Sequence, residues 1–515
     1  MLKATDVAEE LRPLASGRLL SRVCTAAGIA ALGIALRLQS PKFKSDLWYD
    51  EVFSLINARL PFGRMMHSLV VGGDTNPPLY TILLHFWLKF GSSDAHVKIF
   101  SILFGMASVG AAYLLGKRLW NHVSGSVAAA LLATSPAGIQ YSIEARPYPM
   151  FLFFSLLSTY FLLSAIKTDS ARTKMHWIGY GVATALAIYS HWFGLLLLPA
   201  HLSALLIWRR SALQIRRLFL AFCAIGVLCL PLIPFVLNQV RLQDSVGGFK
   251  WPGKPDMSAI RELTLFGFGG RGVMLATAVV LVWAFVGVWR SYRRQPFEKT
   301  LLFICCYVAL PVVIVVVFGY LLQGYSFFVV RYFLPYLLGV LFLASVSIAT
   351  MKMHFQIPCA LGIVAISLAT ALQQWGSADN AYSSLAVRLS SRGNEEVLIG
   401  HLSPMSYLPI LHYGVGSETH KVLWNSQNGG GYVIGYNIGG EMLGEKDLED
   451  VADALKSYKE LYLVIDPGDL GRSTRAVRDA VDSSQEFTKL TEEKLGKLSV
   501  IRYMRKGALQ ENAVN

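Results

Sequence analysis

Eleven apolar runs, each near the length a helix needs to cross a bilayer, constrain this chain more than any other feature. They fall near residues 23–40, 97–116, 124–142, 149–166, 176–190, 193–208, 217–237, 272–289, 300–321, 332–350 and 357–374. About 20 apolar residues span the hydrocarbon core of a membrane. Lipid offers backbone N–H and C=O groups no water, so each run is expected to satisfy its own by forming a helix. Charged residues make up only 16% of the chain, against about a quarter in ordinary globular domains. The fold expected is mostly α, a polytopic helical domain of about eleven spans.

The charge is unevenly spread. Residues 376–515 hold 15 Lys and Arg against 19 Asp and Glu, a net of −4; from totals of 47 and 33 this leaves 32 and 14 before them, a net of +18. A basic, apolar front joined to a mildly acidic tail reads as a membrane domain, 1–375, followed by a soluble domain, 376–515. In the tail, Glu396–Gly400 and Glu460–Ile465 read as short buried strands, and Glu445–Tyr458 has helical periodicity. That pattern predicts a small α/β domain. Gly429-Gly430-Gly431 reads as a loop and not as a nucleotide fingerprint, because no strand and helix flank it.

Residues 1–22 are polar, with Asp6, Glu9 and Glu10, unlike a cleavable signal, so the first apolar run is expected to remain as an anchor. All six cysteines lie in apolar stretches, which fits small buried hydrophobes and no disulfide framework.

Orientation follows from the basic connections. Lys117-Arg118, then Lys167, Arg172 and Lys174, then Arg209 to Arg217, then Arg290 to Lys299, and finally Lys352 sit in alternate loops, which belong in the cytoplasm. An odd number of spans then places the acidic tail outside. The apolar stretch from Pro77 to Phe90 is too short to span, and counting it would put the basic loops outside. It is expected to lie in the outer interface, within an outer loop over 41–95.

With that topology, the unusual polar residues gather at one boundary. After the first span comes Asp46-Leu-Trp-Tyr-Asp50-Glu51, and further on Gly72-Gly73-Asp74-Thr75-Asn76-Pro77-Pro78-Leu79. Later outward connections carry Glu144-Ala-Arg146-Pro147-Tyr148, then Tyr189-Ser-His191-Trp192-Phe193-Gly194, then Arg331-Tyr332. These segments, in this order, resemble the GT-C type of polytopic glycosyltransferase, specifically the branch of protein O-mannosyltransferases and lipid A aminoarabinose transferases. The resemblance covers about residues 23–350. One departure is visible: many relatives place His before the two prolines, where this chain has Asn76.

The resemblance implies transfer of a sugar from a polyprenyl-phosphate donor to a hydroxyl on a glycan, lipid or protein. Such a reaction needs a carboxylate to take the acceptor proton and cations to hold the departing phosphate. Asp50 is the candidate base; an Asp there also suits an N-cap for the helix that follows. Glu51 is a candidate for orienting substrate, or a solvated surface acid. Asp74 is a weaker candidate, since Gly-Gly-Asp is an ordinary turn. Arg146 and Arg331 suit phosphate because a guanidinium makes two-pronged contacts and stays charged. Alternatively Arg146 pairs with Glu144 to lock the turn, and Arg331 anchors at the interface beside Tyr332. Glu144, Tyr148, His191 and Tyr332 complete the candidate substrate-binding set, although a lone His among aromatics is also an ordinary packing residue.

No cofactor is indicated by ligand spacing and no metal ligand is assigned. The resemblance leaves open a divalent ion, which Asp50 and Glu51 could recruit. The expected partners are the lipid-linked donor, the hydroxyl acceptor and membrane lipid, with no nucleic acid. The expected location is a bacterial plasma membrane, with the site and tail on the outer side. A lipid or sugar transporter is the rival class, and a non-catalytic assembly partner the second.

Overall fold

A computed structural model of the chain describes residues 4–71, 74–167, 173–208, 212–245, 255–289, 294–321, 328–390, 396–414, 419–425, 445–468 and 472–508. All eleven apolar runs lie on helix among these residues. Among the described residues, eight segments are long and apolar enough to cross a membrane: Ser21–Gln39, Asp94–Leu119, Tyr148–Lys167, Ala212–Arg241, Arg271–Val288, Arg294–Leu321, Val330–Thr350 and Met353–Gln373. The protein is an integral membrane protein. The other three expected spans are helical but fall short of that measure.

One of those three corrects the sequence reading. The run at 124–142 is two helices, His122–Thr134 and Pro136–Ile143, broken at Ser135. Ser135 Oγ accepts the Gly138 N–H at 3.1 Å. Pro136 follows at the first helical position, where a missing N–H costs nothing. The stretch after Pro78 forms Leu79–Trp87 and a further 3-10 turn, Leu88–Phe90, short of a span as expected.

The chain divides into two compact units. The first comprises Met1–Phe43, Lys98–Pro231 and Phe249–Gly376; the second comprises Lys44–Val97, Leu232–Gly248 and Ser377–Asn515. The first is helical. Its buried hydroxyls bond across helices, Ser158 to Thr184 at 2.7 Å and Ser124 to Ser345 at 3.2 Å. Small polar residues allow close helix approach where lipid supplies no hydrophobic drive.

The second unit contains a six-stranded sheet. Its strands are β1 Val397–His401, β2 His420–Trp424, β3 Leu448–Asp450, β4 Glu460–Ile465, β5 Phe487–Leu495 and β6 Leu498–Arg505, in the order β3-β2-β1-β4-β6-β5. The first four are parallel; β6 runs antiparallel to β4 and to β5. A two-residue turn joins β5 to β6, and Gly496 takes its left-handed position at φ 55°.

Helices cover both sheet faces. Val397, Ile399, Tyr462 and Val464 pack with Tyr382, Leu385 and Ile410, while Leu398, Leu461, Leu463 and Ile501 pack with Val451, Val477 and Val481. Burial on both sides is why β1 and β4 read as continuous apolar runs. Each buried Leu or Val contributes about 1.5–3 kcal/mol.

The stretch read as helical over 445–458 is a 3-10 turn, Glu445–Asp447, then β3, then helix Val451–Ser457. Asp450 explains the switch: it ends the strand and its side chain caps the helix through the Ala452 N–H at 2.8 Å. Gly429, Gly430 and Gly431 lie outside the described residues.

Candidate active site

The first unit gathers six of the candidate residues at the junctions between helices. Helix Pro136–Ile143 ends at Glu144, and the Arg146 N–H returns to the Glu144 carbonyl at 2.7 Å, a three-residue turn centred on Ala145. Pro147 then accepts the Phe151 N–H as helix Tyr148–Lys167 begins. Glu144 and Arg146 are both buried, at 4% and 5% exposure. Glu144 lies 4.0 Å from the Lys42 ammonium.

His191 sits where helix Thr173–Ser190 gives way to Trp192–Leu196. Its Nδ1 accepts the Phe193 N–H at 3.2 Å, so a neutral ring carries its proton on Nε2. Gly194 is required three residues on, because a Cβ there would stand 2.7 Å from the Ile188 backbone nitrogen. The imidazole stacks on Phe151 with centroids 5.1 Å apart and lies 4.8 Å from the Tyr332 ring and 5.9 Å from Tyr148. Burial first, and then the charges of Arg146 and Arg331, hold its pKa down to about 3. The ring is therefore neutral at physiological pH, a donor and not a third cation.

Arg331 and Tyr332 enter on the turn Val330–Phe333. The Arg331 guanidinium lies 6.0 Å from the Tyr148 ring centre and 5.9 Å from that of Tyr332, and the two rings stack at 6.4 Å. Tyr336 donates to the Phe193 carbonyl at 2.5 Å, tying the segment after Arg331 to the segment after His191. Two guanidinium groups beside a neutral His and two tyrosines form a cationic, aromatic-walled half-site.

Three residues that sequence reasoning passed over support this half-site. Arg37, two residues before the end of its helix, is fully buried. Its Nε donates to Ser142 Oγ at 2.7 Å, and its terminal nitrogens reach the carbonyls of Gly33, Ala133 and Gly138. The guanidinium thereby fixes the short helix that leads into the Glu144–Arg146 turn. Lys42 is the second, through Glu144. Lys98 is the third: fully buried, it donates to the Lys42 and Phe43 carbonyls at 3.1 and 3.3 Å. Arg37 had a usable signal, a lone charge inside an apolar run.

The second unit holds the remaining three. Helix Tyr49–Arg59 has Trp48, not Asp50, at its N-cap. Glu51 reaches back to the Trp48 N–H at 3.1 Å, the reciprocal half of a capping box. The capping role considered for Asp50 therefore belongs to Glu51, which is fully buried and not a solvated surface acid. Asp50 is half-buried in the first turn of the helix, where a carboxylate is favoured by the helix dipole. Asp74, at 4% exposure, accepts both the Asn76 backbone N–H and its side-chain amide at 2.9 Å. Asn76 thus closes an Asx turn on Asp74. Among the described residues no group of three or more His, Cys, Asp or Glu could hold a metal ion.

Comparison with known proteins places this arrangement in a setting. The family model for dolichyl-phosphate-mannose-protein mannosyltransferase matches residues 75–236. The dolichyl-diphosphooligosaccharide–protein glycosyltransferase subunit stt-3 of Caenorhabditis elegans is 27% identical over 48% of this chain and 33% of its own length. The undecaprenyl phosphate-α-4-amino-4-deoxy-L-arabinose arabinosyl transferase of Pseudomonas aeruginosa (strain UCBPP-PA14) is 31% identical over 33% of this chain and 34% of its own. The chain thus matches about a third of the length of these curated relatives. Among solved structures, ArnT from Cupriavidus metallidurans superposes over 95% of this chain and 98% of its own at 12% identity, with a TM-score of 0.61 in the apo state. The undecaprenyl phosphate-bound form gives 0.58 at 13% identity, over the same shares of the two chains. The chain therefore has the fold of the GT-C membrane glycosyltransferases and resembles, within that type, the branch that includes protein O-mannosyltransferases and aminoarabinose transferases.

Proposed function

We propose that this protein is a membrane glycosyltransferase that moves a sugar, a hexose or a pentose, from a polyprenyl-phosphate donor to a hydroxyl acceptor. The observation that carries this reading is the half-site of Arg146 and Arg331 around neutral His191. Two fixed cations with an aromatic wall suit a sugar phosphate on a lipid, since guanidinium groups grip phosphate oxygens and aromatic faces suit sugar rings. That the ArnT structure from Cupriavidus metallidurans binds undecaprenyl phosphate on the same fold supports the choice of lipid.

In the reaction, the acceptor oxygen bonds to the anomeric carbon as the bond from that carbon to the phosphate oxygen breaks. The acceptor proton passes to the Asp50 carboxylate, and the polyprenyl phosphate leaves with the bonding electrons. Arg146 and Arg331 neutralise the charge that grows on the leaving phosphate. His191 donates from Nε2, and Tyr148 and Tyr332 flank the sugar. Glu51 and Asp74 fix the loops on either side of Asp50 in the sequence, and Glu144 sets the turn bearing Arg146. A divalent ion, if one is recruited, would be held by Asp50 and Glu51. In this reading the site and the C-terminal domain face outward from a bacterial plasma membrane, and the alternating basic loops support that sidedness.

The test is mass analysis of products after mixing purified protein with a panel of polyprenyl-phosphate hexoses and pentoses and a panel of glycan, lipid and peptide acceptors. A product heavier than its acceptor by one sugar supports the reading. No product from any pair, in protein shown to be folded, counts against it.

One observation favours the transport reading. His201, Thr159 and Tyr180 form a fully buried hydrogen-bonded set within helices, His201 Nε2 to Thr159 Oγ1 at 3.0 Å. Movement of a labelled polyprenyl phosphate across vesicles bearing the protein, with no sugar transfer, would decide for it.

A further inference from the structure

In the second unit, the segment that leads into the Asp50 helix is laced into the C-terminal domain. Asp46 donates its N–H to the Asp379 carbonyl at 2.8 Å, and its Oδ2 accepts the Ser383 N–H at 2.8 Å. Ser45 Oγ accepts the Asp379 N–H at 3.0 Å. One residue on, the Leu47 N–H donates to the Tyr413 hydroxyl at 2.7 Å. Tyr413 in turn donates to Asp94 Oδ2 at 2.5 Å, and His412 Nε2 meets the other oxygen of Asp94 at 2.9 Å. Trp48 and Tyr413 both pack against the apolar cluster on one face of the sheet. Helix Pro404–His412 packs along Tyr49–Arg59 itself.

We infer that the C-terminal α/β domain is the bracket that sets the helix bearing Asp50, with Tyr413 as its positioning residue. This rests on Asp50 being the base. The residues ahead of a helix have no intrahelical partner for their N–H groups, so whatever accepts them fixes where the helix starts. Here the acceptors at positions 46 and 47 come from residues 379 and 413. A charge-assisted bond from Tyr413 to Asp94 orients the hydroxyl so that its lone pair faces the Leu47 N–H. A base misplaced by a fraction of an ångström loses rate without losing substrate affinity.

Tyr413→Phe removes the hydroxyl and keeps the ring. In the full-length protein, kcat is expected to fall on the order of tenfold while the donor KM stays within about twofold. Hydrogen exchange of peptides covering residues 46–54 should quicken on the order of tenfold, with β1, β4 and β6 unchanged. A residue that merely fills the sheet core would quicken exchange in the strands as well. Asp94→Asn reaches the same bond from its other end and should reproduce the pattern, which guards against a fault peculiar to one variant. The exchange measurement needs no substrate: a parent-like rate over residues 46–54 in both variants overturns the bracket. So does a parent-like kcat in both, provided Asp50→Asn has lost turnover. If Asp50→Asn keeps turnover, the assignment of the base fails and the positioning role fails with it, even where exchange shows the bracket itself.

Discussion

Arg37 donates from Nε to Ser142 Oγ at 2.7 Å, and Ser142 in turn donates to the Gly138 carbonyl at 2.6 Å. The same guanidinium reaches Gly138 directly at 2.9 Å. A cation buried at the end of a span is thus satisfied by carbonyls and one hydroxyl, with no carboxylate among the described residues. Charges in that setting persist only when something depends on them. What depends on Arg37 is the short helix leading to Arg146.

Arg37→Ala should therefore lower stability by about 3 kcal/mol, because the buried carbonyls lose their donors along with the charge. Arg37→Lys should recover only part of this, since one ammonium cannot reach Gly33, Ala133, Gly138 and Ser142 together. Thermal unfolding in detergent, followed by circular dichroism, measures both. An unchanged Tm for Arg37→Ala would make Arg37 an idle residue.

Arg146→Ala and Arg331→Ala should each weaken binding of undecaprenyl phosphate by about 1.5–3 kcal/mol, the size of a charge-assisted contact where water is scarce. Arg331→Lys should restore part of it. Calorimetry with undecaprenyl phosphate in detergent reads this without an acceptor. Parent-like affinity in both alanine variants would place the phosphate elsewhere.

The C-terminal domain should be acid-sensitive. His401 Nε2 and His420 Nδ1 lie 3.1 Å apart, fully buried, and Ser406 Oγ lies 3.0 Å from His401 Nδ1. Burial pushes both imidazoles down, His401 well below the ordinary value and His420 to about 4, with the neighbouring His420 charge adding to the effect on His401. The unfolded chain binds protons near pH 6.5 and the folded domain resists them, so the stability is fully present above about pH 6.5 and falls as pH drops towards 4. Unfolding of the domain at pH 7.5, 6.0 and 4.5, read by limited proteolysis of the tail, should show the fall. A flat profile would mean that the pair is solvated.

Sidedness can be read directly. With the six native cysteines replaced, single cysteines at Ser483 in the tail and at Gln295, in the first turn of helix Arg294–Leu321 beside the basic cluster, should label with an impermeant thiol reagent from opposite faces of sealed vesicles. Labelling from the same face would contradict the topology.

What the sequence made legible follows from solvent. Lipid forces long apolar helices, so the eight runs long enough to span, among the described residues, announced themselves, and a two-sided sheet made β1 and β4 plain. Arg37 was legible too, as a lone charge within an apolar run, but a count of apolar residues passes over it because one charge leaves the run intact. The break at Ser135 was written in Ser135-Pro136, but an apolar count is blind to it. Glu51 against Asp50 as the capping acid turns on a single helix boundary, which patterns place only to within about 2–4 residues. The bonds from residues 46 and 47 to 379, 383 and 413 join positions more than 330 apart, which no local pattern encodes.

Asp50→Asn separates proton transfer from folding and donor binding most directly. The amide keeps the size of the side chain, and Glu51, not Asp50, closes the cap on Trp48, so the helix should fold as before. Undecaprenyl phosphate should bind as tightly as to the parent. Transfer, measured with the donor and acceptor pair that gives the most product, should fall roughly 10²–10⁴-fold, the usual loss of a general base. Turnover near the parental rate, in folded protein that still binds the lipid phosphate, would contradict the account.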